Sequence, residues 1–575
     1  MDTGVDVGRT AKATGMVLFT LASAQFLMTL DSSVMNVSIA TVAKDLGTSV
    51  TGIQTAITMY TLVMATLMIT GGKVGQILGR KRAFAIGCVI YGVGSLTTAL
   101  APNLTVLLIG WSALEGVGAA LIMPAVVALV ASNFGRPERP RAYGLVAAAG
   151  AIAVAAGPLI GGLLTTYASW RWVFAGEVLV VLVILTLTRR IADTPADRGA
   201  GLDLLGTVLS ALGLGLIVYG VLRSGSWGFV NPKPGAPELL GVSPVTWLVL
   251  GGGLVLWAFL SMERRRMDRG APVLIDPRML SNRLLRGGLT SFFFQYLLQA
   301  GLFFTVPLFL SVALGLSAVA TGVRLLPLSA ALLLAAVGIP KLFPNASPRR
   351  VVRVGFSCLF AGIVLLIASL EIGVGPEVVT WPMLLTGLGV GALASQLGSV
   401  TVSAVPDEQT GDVGGLQNTV TNLGASIGTA LAGAVLVSAL TSSFFAGIQA
   451  NPDIPEDLSS AAQVELAAGV PFIPDADLNA ALNEAGVDDA TAEAIVEENT
   501  QSRLDGLRAA LAALAVLALM ALFVARGIPT RQPAAVSSGT DEADHKARKR
   551  NVTARSVRRQ RHTRPSRLRR SGHDG

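Results

Sequence analysis

AYGLVAAAGAIAVAAGPLIGGLLT, residues 142–165, is the stretch on which the fold turns. It carries no charge, and at about 1.5 Å per residue it is long enough to cross roughly 30 Å of hydrocarbon. Its small residues follow the pattern Gly144-x8-Ala153-x3-Gly157-Pro158-x2-Gly161-Gly162. Gly and Ala one helical turn apart let two helix backbones approach closely, the usual way helices associate where surrounding lipid is as apolar as the core. Pro158 removes a backbone donor and is expected to bend the segment. Membrane helices tolerate this because neighbouring groups satisfy the freed carbonyl. A bent, closely packed helix is suited to sealing one side of a cavity.

Working outward, the 575-residue chain is 52% apolar and only 14% charged, well below the roughly one-quarter charged residues of soluble domains. Fourteen segments long enough to span a bilayer recur: 16–38, 53–72, 83–101, 104–126, 142–165, 173–190, 204–222, 244–262, 287–312, 321–340, 352–371, 379–404, 414–439 and 507–526. Leu114-Glu115-Gly116-Val117-Gly118-Ala119-Ala120 in the fourth echoes Leu388-Gly389-Val390-Gly391-Ala392 in the twelfth, and Gly144-Leu145 echoes Gly415-Leu416. Internal echoes of this kind mark repeated transporter bundles. The expected fold is therefore all-α and polytopic, with two six-helix bundles and two inserted central helices. The expected divisions are a cytoplasmic N-terminus (1–15), a first bundle (16–190), an inserted pair with linkers (191–286), a second bundle (287–526) and a basic tail (527–575). The second bundle includes an acidic outer loop (441–505), whose portions Asp475–Ala485 and Asp489–Glu498 have the periodicity of short amphipathic helices.

Basic residues are retained in the cytoplasm. With the N-terminus inside, the inner side receives Arg9, Lys12, Lys73, Arg80–Arg82, Arg189, Arg190, the Arg264–Arg286 cluster, Arg349, Arg350 and Arg353. The outer side receives only Lys44, Arg171, Arg223, Lys233 and Arg503. An even helix count returns the C-terminus to the cytoplasm, where Lys546–Arg570 is expected to lie against anionic inner-leaflet lipid, with nucleic acid the disfavoured alternative. The first apolar run reads as an uncleaved signal anchor of a cell-membrane protein. Cys88 and Cys358 fall in separate segments, which argues against a disulfide or metal pair, and the three histidines all lie in the tail. No phosphate-binding loop, metal-ligand pair or nucleophile–base arrangement is present in the apolar part. The chain thus reads as no enzyme, with no cofactor and an ion gradient in place of ATP.

Four motifs fall in order along these segments. Gly72-Lys73-Val74-Gly75-Gln76-Ile77-Leu78-Gly79-Arg80-Lys81-Arg82 joins the second and third; Leu30-Asp31-Ser32-Ser33-Val34-Met35-Asn36 lies in the first; Ser112-Ala113-Leu114-Glu115-Gly116 lies in the fourth; and the fifth holds the Gly157-Pro158 pattern. Together they resemble the signatures of the fourteen-helix drug:proton antiporters of the major facilitator superfamily, over roughly residues 16–440 plus the last helix. The resemblance implies two bundles that rock about a central site, and export of drugs, dyes, antiseptics or antibiotics in exchange for protons. In the fifth segment it implies an antiporter role for Gly144, Gly157, Pro158, Gly161 and Gly162. In the loop it implies a conformational latch at Gly72, Gly79, Arg80, Lys81 and Arg82. Gln76 stands there for the usual Asp and Ile77 for the usual Arg, while Ser112 replaces an Arg and Glu115 a Gln, so the charged machinery has been rewritten.

A carboxylate near the bilayer midplane costs a few kcal/mol when charged and tends to face a cavity. Counted along their segments, Asp31 and Glu115 reach about the same depth, where two carboxylates resist simultaneous ionisation. They are the candidate pair for the coupling proton or a cationic substrate; the alternative for each is a structural hydrogen bond to a neighbouring helix. Candidate substrate contacts are Asn36, Ser112, Gln295, Gln299, Phe303 and Arg324. Gln295 and Gln299, four apart, share a helix face, and Arg324 is either a counter-ion for the acids or a side chain reaching to the outer interface. Beyond Trp170-Arg171-Trp172, Glu177 replaces an Asn, with a local pair to Arg171 as its simplest role. Two rivals remain: export of an endogenous lipid or secreted metabolite, and a non-transporting sensor or scaffold acting through the basic tail.

Overall fold

In the computed structural model the described residues are 3–531, except 49, 136, 194–200, 234, 407–408, 457, 460–461, 463–465, 467–469 and 471; within helices some side chains, including those of 3–14, Asn36 and Pro158, are also outside the described set. The tail placed against lipid by sequence lies almost wholly outside these residues.

Each of the fourteen expected segments falls in a helix. In chain order these are α1 (Thr3–Asp45), α2 (Val50–Leu78), α3 (Arg80–Ala99), α4 (Leu104–Asn133), α5 (Arg139–Tyr167), α6 (Arg171–Thr188), α7 (Leu204–Trp227) and α8 (Pro244–Asp268). They continue as α9 (Arg283–Ala313), α10 (Ala318–Leu342), α11 (Pro348–Ser369), α12 (Thr380–Val402), α13 (Thr410–Ala450), a short α14 (Asp475–Glu484) and α15 (Asp489–Val524). Thirteen are long and apolar enough to cross a membrane among the described residues; the remaining expected span lies in the 29-residue α5. Between the helices the described residues form turns, short 3-10 segments and one isolated bridge, Leu239 to Val242.

The ends follow local chemistry. Asp203, Ser243, Asn282, Ser317 and Asp488 each accept a backbone N–H at the start of a helix, satisfying donors that have no intrahelical partner. One residue separates α2 from α3: Gly79, at φ 94°, a conformation that side chains disfavour. Many faces that would be polar in a soluble protein are apolar and exposed, as in Leu205, Val208 and Leu212 on α7 or Leu250, Leu254 and Trp257 on α8. Their spacing of three and four makes a stripe, the surface expected where the solvent is hydrocarbon.

Contacts between the two halves gather at the end of the molecule carrying the α2–α3 turn. A Cβ on Gly72 would lie 2.6 Å from the Gly411 carbonyl oxygen of α13, and one on Gly144 of α5 would lie 2.5 Å from the Ala336 oxygen of α10. Gly414 meets Pro124 of α4, and Gly398 of α12 meets the Tyr143 ring of α5. Glycine therefore sets how tightly this end shuts. Helices α7 and α8 cross at Gly213 and Gly252, and α7 lies against α2.

At the opposite end the segment 441–505 departs from expectation in two respects. Asp475–Glu484 is a separate helix, α14, but 489–498 forms the first turns of the 36-residue α15 rather than a helix of its own, and residues up to Ala450 still belong to α13. Asp488 starts α15 by accepting from the Thr491 backbone N–H at 3.1 Å, and the buried face of α15 runs on from Ala494 and Ile495 through Asn499, Ser502 and Arg503 into the apolar span. Arg503, one of the basic residues assigned to the outer side, is buried there, pairing with Asp475 and donating to the Ile473 carbonyl at 2.8 Å, which holds α14 against α15.

Candidate functional site

Inside the first half, α4 opens its turns. Residues Leu108–Glu115 follow π-helical geometry, a local widening that recurs at functional sites. Trp111 and Glu115 both point from it into the bundle and are fully buried. The Trp111 indole N–H donates to Asp31 of α1, at 2.8 Å to Oδ1 and 2.9 Å to Oδ2, and the Tyr60 ring of α2 stacks on the indole at 5.2 Å. Glu115 Oε1 accepts from the Thr98 hydroxyl of α3 at 3.2 Å. Space for this acid comes from Gly94 of α3, where a Cβ would lie 2.6 Å from Glu115 Cγ.

A third acid completes the group. Glu177 of α6 is 2% exposed, and its Oε2 accepts from Ser95 at 3.1 Å and from Tyr91 at 3.4 Å. Asp31, Glu115 and Glu177 each place a carboxylate oxygen within 4.8 Å of the others. The expected pair between Glu177 and Arg171 does not form. Six residues at 100° each turn Glu177 about 240° from Arg171, into the bundle. Arg171 instead pairs with Asp45, donates to the Ala101 carbonyl at 2.8 Å and lies over Trp170. Beyond the span, the Trp170 indole and Arg171 hold the Asp45 carboxyl below its usual range.

Asp31 and Glu115 are thus together, but not in the central cavity. That cavity, about 130 Å³, lies between the halves toward the α2–α3 end, and its polar lining includes Gln25, Thr29, Tyr143, Gln295, Gln299 and Asn418. The reason is angular: Thr29 faces the cavity, and Asp31, two residues on, points about 200° away. Of the proposed substrate contacts, Gln295 and Gln299 line the cavity. Ser112 instead donates to the Ala56 carbonyl at 2.8 Å between α4 and α2. Phe303 packs against the apolar core of the second half, Arg324 is half-buried on α10 away from the cavity lining, and the Asn36 side chain lies outside the described residues. Sequence reasoning missed Gln25, Thr29 and Asn418, although polar residues at spacing four inside apolar segments, as in Gln25 and Thr29, were the available signal.

The glycines of α5 face two partners. Gly157 and Gly161 lie against Ser33 and Val34 of α1, beside Asp31, whereas Gly144 packs directly on Ala336 of α10 in the other half; Gly162 is half-buried, and the Pro158 side chain is outside the described set. At the α2–α3 end Gln76 spans the halves, its Nε2 donating to Asp412 Oδ1 of α13 at 2.8 Å while its Oε1 accepts from Lys73 Nζ at 3.2 Å. Lys81 donates to the Arg189 carbonyl and, through its backbone N–H, to Asp193, and Arg80 reaches the Ala128 carbonyl.

Comparison with known proteins fits this arrangement. The family pattern described as Major Facilitator Superfamily matches residues 21–429. The puromycin resistance protein pur8 of Streptomyces alboniger is 34% identical over 433 residues, covering 73% of this chain and 82% of its own length. The cephamycin export protein CmcT of Amycolatopsis lactamdurans is 30% identical over 439 residues, covering 74% of this chain and 86% of its own. The solved structure of the human organic anion transporter MFSD10 (TETRAN) shares the fold, with a TM-score of 0.52 over 90% of this chain and 98% of its own at 12% identity. On the extent of these matches and the helical architecture, the chain belongs to the major facilitator superfamily and is a multi-pass membrane transporter.

Proposed function

We propose that this transporter exports amphipathic small molecules of the drug or antibiotic kind across the cell membrane, driven by inward movement of protons, with both termini cytoplasmic. The observation that carries the proposal is the buried acid group on α1, α4 and α6, placed behind a central cavity whose described polar lining is uncharged. On this reading Asp31 and Glu115 load and release protons, while Gln295 and Gln299 meet the substrate. The α2–α3 end is the cytoplasmic gate, and Gln76 with Asp412 is its latch, an amide–carboxylate bond taking the place of a charge pair. The two halves act as bundles, with α7 and α8 inserted between them, and the energy source is the proton gradient, no bound cofactor being required.

The relatives named for puromycin resistance and cephamycin export also favour a second reading, in which the physiological cargo is a secreted metabolite. An efflux panel in a pump-deficient host, with and without an uncoupler, tests substrate and energy source together. Normal proton-driven efflux by both Asp31→Asn and Glu115→Gln would overturn the assignment of the acids, and metabolite profiling of a deletion strain separates drug from metabolite export.

A further inference from the structure

Three carboxylates share one interior, and they are not fully used. Glu115 Oε2 and Glu177 Oε1 are buried without a hydrogen-bond partner among the described residues. A third oxygen faces the acids from another helix: the Tyr60 hydroxyl of α2, 2% exposed, is directed at Asp31 yet completes no well-formed hydrogen bond among the described residues. Such orphan oxygens cost free energy unless something fills the space between them. The titratable groups facing that space are Asp31 from α1, Tyr60 from α2, Tyr91 from α3, Glu115 from α4 and Glu177 from α6.

We propose that Asp31, Glu115, Glu177 and Tyr60 form a binding site for a hard divalent cation of calcium size, competing there with protons. This rests on the preceding assignment of the acids as the ion-coupling group and adds the metal as a second occupant. All the donors are carboxylate or hydroxyl oxygens, the set that selects hard cations over softer transition metals. The spacing is compatible with that size: the three carboxylate oxygens lie within 4.8 Å of one another, and ligands on opposite sides of an ion at about 2.4 Å are about 4.8 Å apart, while magnesium gives up its water reluctantly. Charge fixes the exchange. Three acids are neutral with three protons, and equally neutral with one divalent cation and one proton, so each cation that enters releases two protons.

The test is calorimetric titration of CaCl2 into the full-length protein in detergent, in two buffers of different ionisation enthalpy, with MgCl2 and NaCl as parallel titrants. The expected result is one site that releases about two protons per calcium, tightens as pH rises and prefers calcium to magnesium by about tenfold or more. Glu177→Gln should lose at least about tenfold in affinity, and Tyr60→Phe, which removes a single oxygen, should weaken binding several-fold with its helical circular dichroism intact. If Glu177→Gln does not fold, Tyr60→Phe decides. No calcium response between weakly acidic and weakly alkaline pH, an equal response to NaCl, or unchanged affinity in the variants would overturn the site. These outcomes are separable from the transport assignment. Uncoupler-sensitive efflux lost in Asp31→Asn, with no calcium binding in the parent protein, leaves protons as the only ion; calcium binding with efflux indifferent to the uncoupler removes proton coupling and keeps the metal.

Discussion

Gly157→Ala is the sharpest probe of how α5 supports the buried acids. A Cβ at that position would lie 2.4 Å from Ser33 Cβ and closer still to Ser33 Oγ. The hydroxyl can rotate away, but Ser33 Cβ is fixed to the α1 backbone. Ordinary contact therefore requires α1 and α5 to part by about 1 Å, at an overpacking cost of about 1–3 kcal/mol. Along the same seam the Ser38 and Thr165 hydroxyls are 2.9 Å apart, and an equal shift breaks their bond, adding about 1 kcal/mol. Asp31 is two residues from Ser33, so the same movement pulls it from Trp111, and misplacement on that scale can cost about 100-fold in rate. Efflux in everted vesicles and thermal unfolding in detergent are the assays. Gly157→Ala should lower the unfolding midpoint and reduce efflux by about tenfold or more, and the double variant Ser33→Gly/Gly157→Ala should recover much of both. Parental efflux and stability in the single variant, or a double variant no better than the single one, would refute the close-packing argument.

Four further outcomes follow from the geometry. Gly94→Ala drives a methyl into Glu115 and should abolish proton-coupled efflux while sparing expression; vesicle transport with an imposed pH gradient checks it. Gln76→Leu leaves Asp412 without its partner across the gate and should increase cytoplasmic alkylation of a cysteine placed at Gln299, whereas unchanged labelling would exclude a latch there. Gln295→Leu removes an amide from the cavity and should change relative KM values across an efflux panel by about 10-fold, the scale of one or two lost polar contacts, with the uncoupler response unchanged. Asp45, whose carboxyl is held low by Trp170 and Arg171, stabilises the fold above its unfolded pKa near 4 and loses that contribution as pH falls through its lower folded value. Because Asp45 is nearly half-exposed, Asp45→Asn should cost under about 1 kcal/mol, with unfolding curves of variant and parent converging below about pH 4.

Much of the fold was legible because length and apolarity alone specify a span, and Gly79 marks the α2–α3 turn by its need for an unusual φ. Depth was also legible. Counting residues from helix ends brought Asp31 and Glu115 to one level, where they meet. The direction of a side chain was not. In a soluble helix the polar face declares itself, but lipid is as apolar as the core, so a membrane helix gives little contrast between its faces. Hence Asp31 was expected in the cavity that Thr29 lines, and Ser112 was expected to meet substrate although it caps a carbonyl of α2. Glu177 was visible as an unusual acid, and its separation of six from Arg171 already argued against a local pair. The π-turn that aims Trp111 and Glu115 inward has no sequence signal in Leu108–Glu115.

The placement of the acids behind α1 has a consequence for coupling. If substrate and ion shared one pocket, a bound cation would have to displace protons directly, and a neutral compound would have no means of drawing on the gradient. Here α1 presents Gln25 and Thr29 to the cavity and Asp31 to the acid group, so if these are the substrate and ion sites as proposed, they would communicate through movement of a helix rather than through contact. The same helix is held by Gly157 and Gly161 of α5, while α5 reaches the second half through Gly144. On the proposed assignment, loading the acids would change the packing of α1 on α5, and α5 would carry that change to the α2–α3 end. Coupling of this kind depends on the two faces of α1 and not on the charge of the cargo. Neutral and cationic substrates should therefore show the same uncoupler sensitivity, and substrate affinity in a de-energised protein should be nearly independent of pH. Strict competition between protons and a cationic substrate, with neutral compounds uncoupled, would place both in one pocket and refute transmission through α1.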